Sequence, residues 1–292
     1  KFVGEVPWRL YSSTYPAYCF IVLRSPADHD FIEKLCARPE TQHVAGLLGN
    51  YHLYVAIHAA SFSETIRAID EIQGSNRVSD MIVAPALQIG LKASAWRPHN
   101  LDSEREEAVT RIFQNTPRSE ICYDDFEQSG DVPGELEKKV VSLLQQNCRI
   151  AASEIATMIS KSAHSAQRLI DRVAEKGWYR PRIEVPLHDI GYGTAFVAEI
   201  DTEPQHTESV LEKITAHYSS RLVAQVAGNS DIHITGAARS RRHLADILNR
   251  EFSQFEGIEK TRTHIISHDY KRFWITRGAK GQLLDFKPLA LK

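Results

Sequence analysis

Short matches recur along this chain at one spacing. Val6-Pro7 aligns with Val185-Pro186 and Gly49-Asn50 with Gly228-Asn229, both at an offset of 179 residues, and Val78 aligns with Ile258 at 180. Chance does not hold a spacing that constant over so long a run, so the chain is expected to build one kind of unit twice. A length of 292 residues leaves room for about two domains.

The pattern between the matches says what the unit is. Residues 17–24 read as a buried strand, and 28–37 as a helix with Phe31, Ile32 and Leu35 inward. Residues 44–48 form a second strand, ended by Gly49-Asn50-Tyr51-His52. Leu53, Val55 and Ile57 then alternate with Tyr54, Ala56 and His58 as the return strand of a hairpin. A helix over 62–72, with Ile66, Ile69 and Ile72 apolar, and a strand over 81–91 complete a βαββαβ order. The second copy repeats it: strand 194–200, helix 208–217 with Val210, Leu211 and Ile214 inward, and strand 222–226. The turn Gly228-Asn229-Ser230-Asp231 follows, then a strand carrying Ile232 and Ile234, helix 244–255 and strand 258–267. This is the ferredoxin-like arrangement, one antiparallel sheet with two helices on a single face. Cys19, Ile21 and Leu23 alternate with Phe20, Val22 and Arg24, so both faces of the first strand are largely apolar and both are expected to be covered.

Between the copies lies a different pattern. Leu136, Val140, Leu143 and Leu144 stripe one helix, and Ala152, Ile155, Ala156 and Ile159 a short second one. A tight turn at Ser160, Lys161 and Ser162 leads to a third helix with Ile170, Val173 and Ala174 inward. Its other face carries His164, Ser165, Gln167, Arg168, Asp171 and Arg172, and Gly177 ends it. The basic run from Trp178 to Arg182 reads as a wing. A short helix, a tight turn and a third helix with a cationic front is the helix-turn-helix arrangement, built to enter a major groove. Residues 134–182 carry nine Lys/Arg against five Asp/Glu, in a chain whose total is −2, so the segment is locally basic, as phosphate binding requires.

The expected fold is α+β, a winged helix-turn-helix plus two βαββαβ domains. The boundaries are 17–97 for the first βαββαβ domain, 98–133 for an acidic linker with a possible helix over 103–113, and 134–182 for the winged helix-turn-helix. Residues 183–275 form the second βαββαβ domain, and 276–292 an irregular tail anchored by Trp274 and Phe286. Residues 1–16 match the wing of the second copy and are expected to be the remnant of a first helix-turn-helix lying upstream of Lys1.

Composition sets the limits. Cys19, Cys36, Cys122 and Cys148 show no CxxC spacing, which suggests neither a zinc site nor a disulfide framework. Reduced thiols in a cytoplasm are the simplest expectation. No apolar run is long enough to span a membrane, and no signal peptide is seen. Thirteen histidines invite an enzyme reading, but none has HExxH spacing and no carboxylate partner is evident. They are read as surface or sheet histidines, and neither catalytic residues, a metal nor a cofactor is expected.

At this point the chain resembles a family. A helix-turn-helix, a basic wing and a βαββαβ domain with glycine and aspartate after its second strand look like the Lrp/AsnC (feast/famine) transcriptional regulators. The likeness rests on the helix stripe, Arg149-Ile150, Glu154-Ile155-Ala156, Ser162, Arg168, Val173, Gly177 and the 228–231 turn. It holds twice, over nearly the whole chain except 98–133 and the tail. It implies a regulator of double-stranded DNA that assembles as a homodimer or higher oligomer. It also implies a small-molecule effector, such as an amino acid, bound between βαββαβ domains. His52 departs from the family turn, which has aspartate there, and tandem copies allow a pseudo-dimer within one polypeptide.

On this reading His164, Gln167 and Arg168 approach base edges, with Ser162 and Ser165 at the start of the same helix, while Lys161, Arg172, Arg180 and Arg182 hold phosphates. The effector turns are Gly228, Asn229, Ser230 and Asp231 in the second copy and Gly49, Asn50 and His52 in the first. Glycine admits close approach of backbone amides to a carboxylate, and Asp231 would take an ammonium group. His52 lacks a fixed negative charge, so the first turn should prefer another ligand or none. A tight hairpin turn favours the same residue types for purely structural reasons. Tetrapyrrole (siroheme) decarboxylases share the architecture and form the enzymatic alternative. Residues 182–195 hold His188 without the arginine density such a site wants. A small-molecule-binding module that binds no DNA is the third option.

Overall fold

A computed structural model of the chain describes residues 2–6, 10, 16–25, 28–91, 122–124, 131–289 and 291. In chain order the elements are β1 Phe2–Glu5, β2 Ala17–Leu23, α1 His29–Ala37, β3 Thr41–Leu48, β4 Leu53–Ile57, α2 Phe62–Gln73, β5 Val78–Leu91 and β6 Cys122–Asp124. Next come α3 Glu135–Gln146, α4 Ala152–Met158, α5 Ala163–Glu175, β7 Arg180–Ile183, β8 Thr194–Thr202, α6 Thr207–Ala216 and β9 Ser220–Val226. β10 Ile232–Ala238, α7 Arg241–Asp246, β11 Ile258–Arg272, β12 Ile275–Arg277 and β13 Leu283–Phe286 complete the chain. It divides into two compact units, residues 15–125 with 186–288, and residues 1–14 with 126–185 and 289–292.

The larger unit runs through β2-α1-β3-β4-α2-β5 and again through β8-α6-β9-β10-α7-β11. Each run folds into a four-stranded antiparallel sheet, ordered β3-β4-β2-β5 and β9-β10-β8-β11. The two sheets are stitched together at both edges, β5 to β9 and β3 to β11, so eight strands close into a ring. Alternation along the strands explains the layers. Cys19, Ile21 and Leu23 face Phe31, Ile32 and Leu35 of α1 and Ala68, Ile69 and Ile72 of α2. Phe196, Ala198 and Ile200 meet Val210, Leu211 and Ile214 of α6 and Leu244, Ile247 and Phe252 beyond β10. Helix starts are capped where the sequence offers oxygens. Asp28 Oδ1 accepts from the Phe31 N–H at 3.1 Å, and Ser61 Oγ from Glu64 at 3.3 Å. The other face of β2, with Tyr18 and Phe20, is equally buried. The two-sided apolar strand is thus explained, and its cover is the second sheet of the same chain.

Several expectations need correction. Ile66 points outward, and Thr65, Ala68, Ile69 and Ile72 are the buried residues of α2. The helix assigned to 244–255 starts at Arg241 and ends in a π turn, Ile247–Glu251, and a short 3-10 turn, Phe252–Gln254. The tail is ordered: β12 and β13 form a hairpin that extends the sheet beyond β11, and Trp274 anchors it by donating Nε1–H to Pro39 O at 2.9 Å. Within the acidic linker, β6 adds to the edge of β5. The helix expected over 103–113 lies outside the described residues.

The smaller unit holds α3, α4 and α5 and a two-stranded ribbon. Val140, Val141, Leu144, Ile155, Ala156, Ile159, Ala166, Val173 and Trp178 are buried in its helical part, and Val3, Val6, Leu10 and Tyr179 beside them. Ala174, expected inward, is exposed, and Ala166 takes the buried position two turns earlier. β1 pairs antiparallel with β7, Val3 opposite Arg182 and Glu5 opposite Arg180. The segment read as a remnant of another wing therefore completes the ribbon next to these helices. Its approach is close: a Cβ on Gly4 would stand 2.7 Å from the Tyr179 ring and 2.8 Å from Gln145 Cα, and the Arg149 guanidinium lies 3.6 Å from the centre of the Phe2 ring.

Candidate functional site

The helical unit turns a tight corner between α4 and α5. α4 ends in a Schellman arrangement, with Lys161 N–H bonded to Ala156 O at 3.0 Å and Ser160 N–H to Thr157 O at 3.4 Å. This requires Ser160 in the left-handed region, at φ 55°. Ser162 then caps α5, its Oγ accepting from the Ser165 N–H at 3.2 Å and donating to Ser165 Oγ at 3.0 Å. Both serines of the candidate DNA face are thus occupied in starting the helix. His164, Gln167 and Arg168 share the exposed face beyond them, with Lys161 exposed at the corner. Gln167 donates to Asp171 Oδ1 at 2.8 Å along the same face.

The expected phosphate contacts divide. Arg180, on the ribbon, is exposed, and neither it, Lys161 nor Arg168 has an ion-pair partner among the described residues. Arg172 Nη1 instead lies 3.2 Å from Glu137 Oε1 of α3. Arg182 is turned inward, its side chain 10% exposed, with Nη2 2.9 Å from Glu184 and Nη1 3.9 Å from Glu5. Both arginines have carboxylate partners within the unit: Arg182 is held by the neighbouring Glu184, and the half-exposed Arg172 by Glu137, 35 residues back in the chain.

The two candidate effector turns are built alike. In the first, His52 N–H donates to Ile21 O at 2.9 Å, and His52 Nδ1 accepts from the Leu23 N–H at 2.9 Å. In the second, Asp231 N–H donates to Ile200 O at 3.0 Å, and Asp231 Oδ2 accepts from Thr202 N–H at 2.7 Å and Thr202 Oγ1 at 3.2 Å. Every pair repeats at the 179-residue offset, so histidine and aspartate do one job, capping a free amide of the first strand. Gly49 and Gly228 adopt φ 125° and 119°. Asn229 O accepts from Arg262, which also forks onto Asp201 at 2.7 and 2.6 Å. Ser230 is buried. Asn50 is exposed at its turn.

Inside the ring, where the two sheets meet, lies a set of polar groups that sequence reading missed. His43 Nε2 is 2.7 Å from Asp269 Oδ1. Tyr54 OH meets His233 Nε2 at 2.9 Å, and the Tyr18 ring stacks on His233 at 4.1 Å. His264 Nε2 stands 3.3 Å from Glu199. Outside the ring, His217 Nε2 meets Glu251 at 2.9 Å. Carboxylate partners for histidines therefore exist, contrary to the sequence expectation; they are contributed by strands or helices far along the chain. Burial pushes His233 down to about 3, with His43 and His264 adding in the same direction. Asp269 is pushed up by burial, but the His43 charge and hydrogen bond, with Arg277 and Arg221 nearby, leave it below the usual carboxylate range. One signal was available: Tyr18, Tyr54 and His233 are polar residues on strand faces where alternation calls for apolar ones. Among the described residues no group of three or more His, Cys, Asp or Glu could hold a metal, and no helix is long and apolar enough to cross a membrane.

Residues 194–273 match the Lrp/AsnC ligand binding domain. An uncharacterised HTH-type transcriptional regulator of Pyrococcus furiosus is 25% identical over 134 residues, 46% of this chain and 90% of that protein. The HTH-type transcriptional regulator LrpA of Pyrococcus abyssi is 24% identical over 133 residues, 45% of this chain and 94% of its own length. The siroheme decarboxylase NirDL, solved in co-complex with an iron-uroporphyrin III analogue, superposes with a TM-score of 0.60 at 12% identity, covering 93% of this chain and 76% of that one; this is a likeness of fold. The ligand binding domain match and the regulator relatives together make residues 194–273 a segment similar to the Lrp/AsnC ligand binding domain, in a chain similar over just under half its length to HTH-type transcriptional regulators.

Proposed function

We propose that the chain is a sequence-specific DNA-binding transcriptional regulator in a tandem form, with α3 to α5 and the β1–β7 ribbon as a winged helix-turn-helix and the eight-stranded ring as a pseudo-dimer of two ligand-binding modules. The observation that carries it is the exposed face of α5: His164, Gln167 and Arg168 project together behind the tight corner at Ser160, flanked by Lys161 and Arg180, cations with no ion-pair partner among the described residues. An α-helix fits the major groove, and arginine reads guanine by a two-pronged contact. The names of the relatives support the same reading.

The test is a band-shift titration at several salt concentrations on DNA upstream of the protein's own coding region. Arg168→Ala is expected to cost about 1–3 kcal/mol and to relax specificity. Arg180→Ala is expected to weaken all sequences alike and lower the salt slope by about one. Arg172→Ala and Arg182→Ala should leave the slope unchanged, because both are held by carboxylates. Equal binding by wild type and the Arg168/Arg180 double variant refutes the reading.

An amino-acid effector at the 228–231 turn is retained as part of the proposal on the ligand-binding-domain match, with backbone amides as carboxylate donors. Asp231 already serves Thr202, so its use for an ammonium group would compete with that cap. Calorimetry with amino acids on the wild type and on His52→Asn tests it: the second turn should bind and be indifferent to His52. The siroheme decarboxylase likeness supplies a second reading through its span of 93% of the chain. Visible absorbance with added tetrapyrrole discriminates, and the regulator reading expects no bound spectrum.

A further inference from the structure

The ring has an approximate twofold axis, and the contacts across it are unequal in a telling way. Position 54 and position 233 are 179 residues apart and touch each other. A position that touches its own equivalent lies on the axis, here as tyrosine on one side and histidine on the other. Away from the axis, every cross-sheet contact should occur twice. The register shows where. Asp269 lies opposite Ala45 on the β11–β3 edge, and Ile89 lies opposite Ala224 on the β5–β9 edge. His43 lies opposite Ala56, and Leu222 opposite Thr235. The sister of the His43–Asp269 pair is therefore Leu222 with Ile89. Both of those are apolar and buried, at 5% and 0% exposure. One contact is a hydrogen-bonded imidazole–carboxylate pair and its twin is apolar.

We infer that His43 and Asp269 are a pairing code: the first βαββαβ sheet accepts the second one and rejects another copy of itself, because only the unlike pair joins imidazole to carboxylate. This rests on the tandem reading above. The chemistry is a matter of what each alternative buries. Two first modules facing each other would set His43 against Ile89 twice, each imidazole losing its partner. Two second modules would set Asp269 against Leu222 twice, burying two carboxylates without the group that bonds them. Arg221 and Arg277 belong to the second module and accompany Asp269 there, but its hydrogen bond comes from His43 of the first. A buried charge separated from its partner is strongly disfavoured, whereas an apolar pair in the same place is well tolerated. The on-axis Tyr54–His233 bond works the same way, since like pairs would bring tyrosine to tyrosine and histidine to histidine. A chain that carries two halves of a dimer must avoid pairing its halves with those of its neighbours, and a one-sided polar contact does this without altering either fold.

The experiment uses the whole chain with protease sites inserted between residues 11 and 15 and between 98 and 121, cut after purification. The first module is then held by the ring seam, with β6 on its β5 edge and the Trp274 contact to Pro39, because β1 stays with β7. Fragments carrying different mass labels are exchanged in mild denaturant, returned to buffer and weighed by native mass spectrometry. The wild type is expected to return unlike pairs at least tenfold over like pairs. The double variant His43→Leu with Asp269→Ile, which copies the apolar sister contact, is expected to yield like pairs at a several-fold higher share. Adding Ile89→Asp and Leu222→His to it writes the imidazole–carboxylate pair at the sister position and is expected to bring back the unlike pair. Like pairs in quantity from the wild type overturn the inference while leaving the two modules equivalent. No gain of like pairs in the double variant also overturns it. If the four-residue variant then fails to hold the unlike pair as well, 89 and 222 are not the sisters of 269 and 43, and the tandem reading falls with it.

Discussion

His58 sits on β4's heels with no exposed surface, its ring edge-on to Trp274 at 6.1 Å. Burial holds it down to about 3, as it does His233. An unfolded histidine takes its proton near pH 6.5. Both groups therefore have folded values below their unfolded ones, and protons flow to the unfolded chain as pH falls. The stability of the ring is expected to be complete above about pH 6.5 and to decline from there towards pH 3, by about 1.4 kcal/mol per pH unit for each such histidine. Urea midpoints between pH 7 and pH 4 measure it. His58→Leu should flatten the acid limb by one histidine's share, and an unchanged slope would mean that the ring relaxes to hydrate this imidazole. The same scale explains which site residues misled. Charge and spacing put Arg172 and Arg182 among phosphate contacts, but a sequence does not say where the nearest carboxylate is. For Arg172, Glu137 answers that only once α3 and α5 are packed, whereas Glu184 was only two residues from Arg182 and the local inward turn of the strand brings them together.

Elements were far more legible than contacts. Stripes such as Val140 with Leu144, and alternation such as Cys19, Ile21 and Leu23, encode burial locally and appear in the fold as read. Strand pairings that close the ring, β5 to β9 and β3 to β11, join residues with no periodic signal between them. The pairing of β1 with β7 was not legible either, because the two strands lie so far apart in the chain. Helix ends carry local rules and make a sharp prediction. α5 ends as α4 does, with Trp178 N–H bonded to Val173 O at 3.0 Å and Gly177 N–H to Ala174 O at 3.0 Å. Gly177 takes φ 64° where Ser160 takes 55° in the equivalent position. A side chain in that region costs roughly 1–2 kcal/mol, which glycine escapes. Ser160→Gly is expected to stabilise the helical unit and Gly177→Ser to destabilise it, each by an amount in that range, read from urea midpoints. Opposite signs from the pair are the signature. A loss in both would mean that Ser160 makes a contact beyond its backbone.

A closed ring distributes stability differently from two sheets laid side by side. Each module contributes two edge strands to the other, so neither can open without exposing hydrogen-bonding edges of its neighbour. The larger unit is expected to unfold as one cooperative block, although it holds two separate helix-backed cores. Gly236 offers a way to disturb one of them. It lies opposite Phe196 on the β10–β8 pair, and a Cβ there would stand 2.2 Å from the Phe196 ring. Gly236→Ala forces that ring to shift inside the second core, a kind of overpacking that costs about 1–3 kcal/mol. No atom of the first core is named among the nearest neighbours of that Cβ. If the ring is one block, hydrogen exchange at Tyr18, Phe20 and Val55 in the first module should accelerate by the same free energy as at Ile232 and Ile234 in the second. Acceleration confined to the second module would show that the two sheets open independently, with β5–β9 and β3–β11 acting as contacts between finished domains.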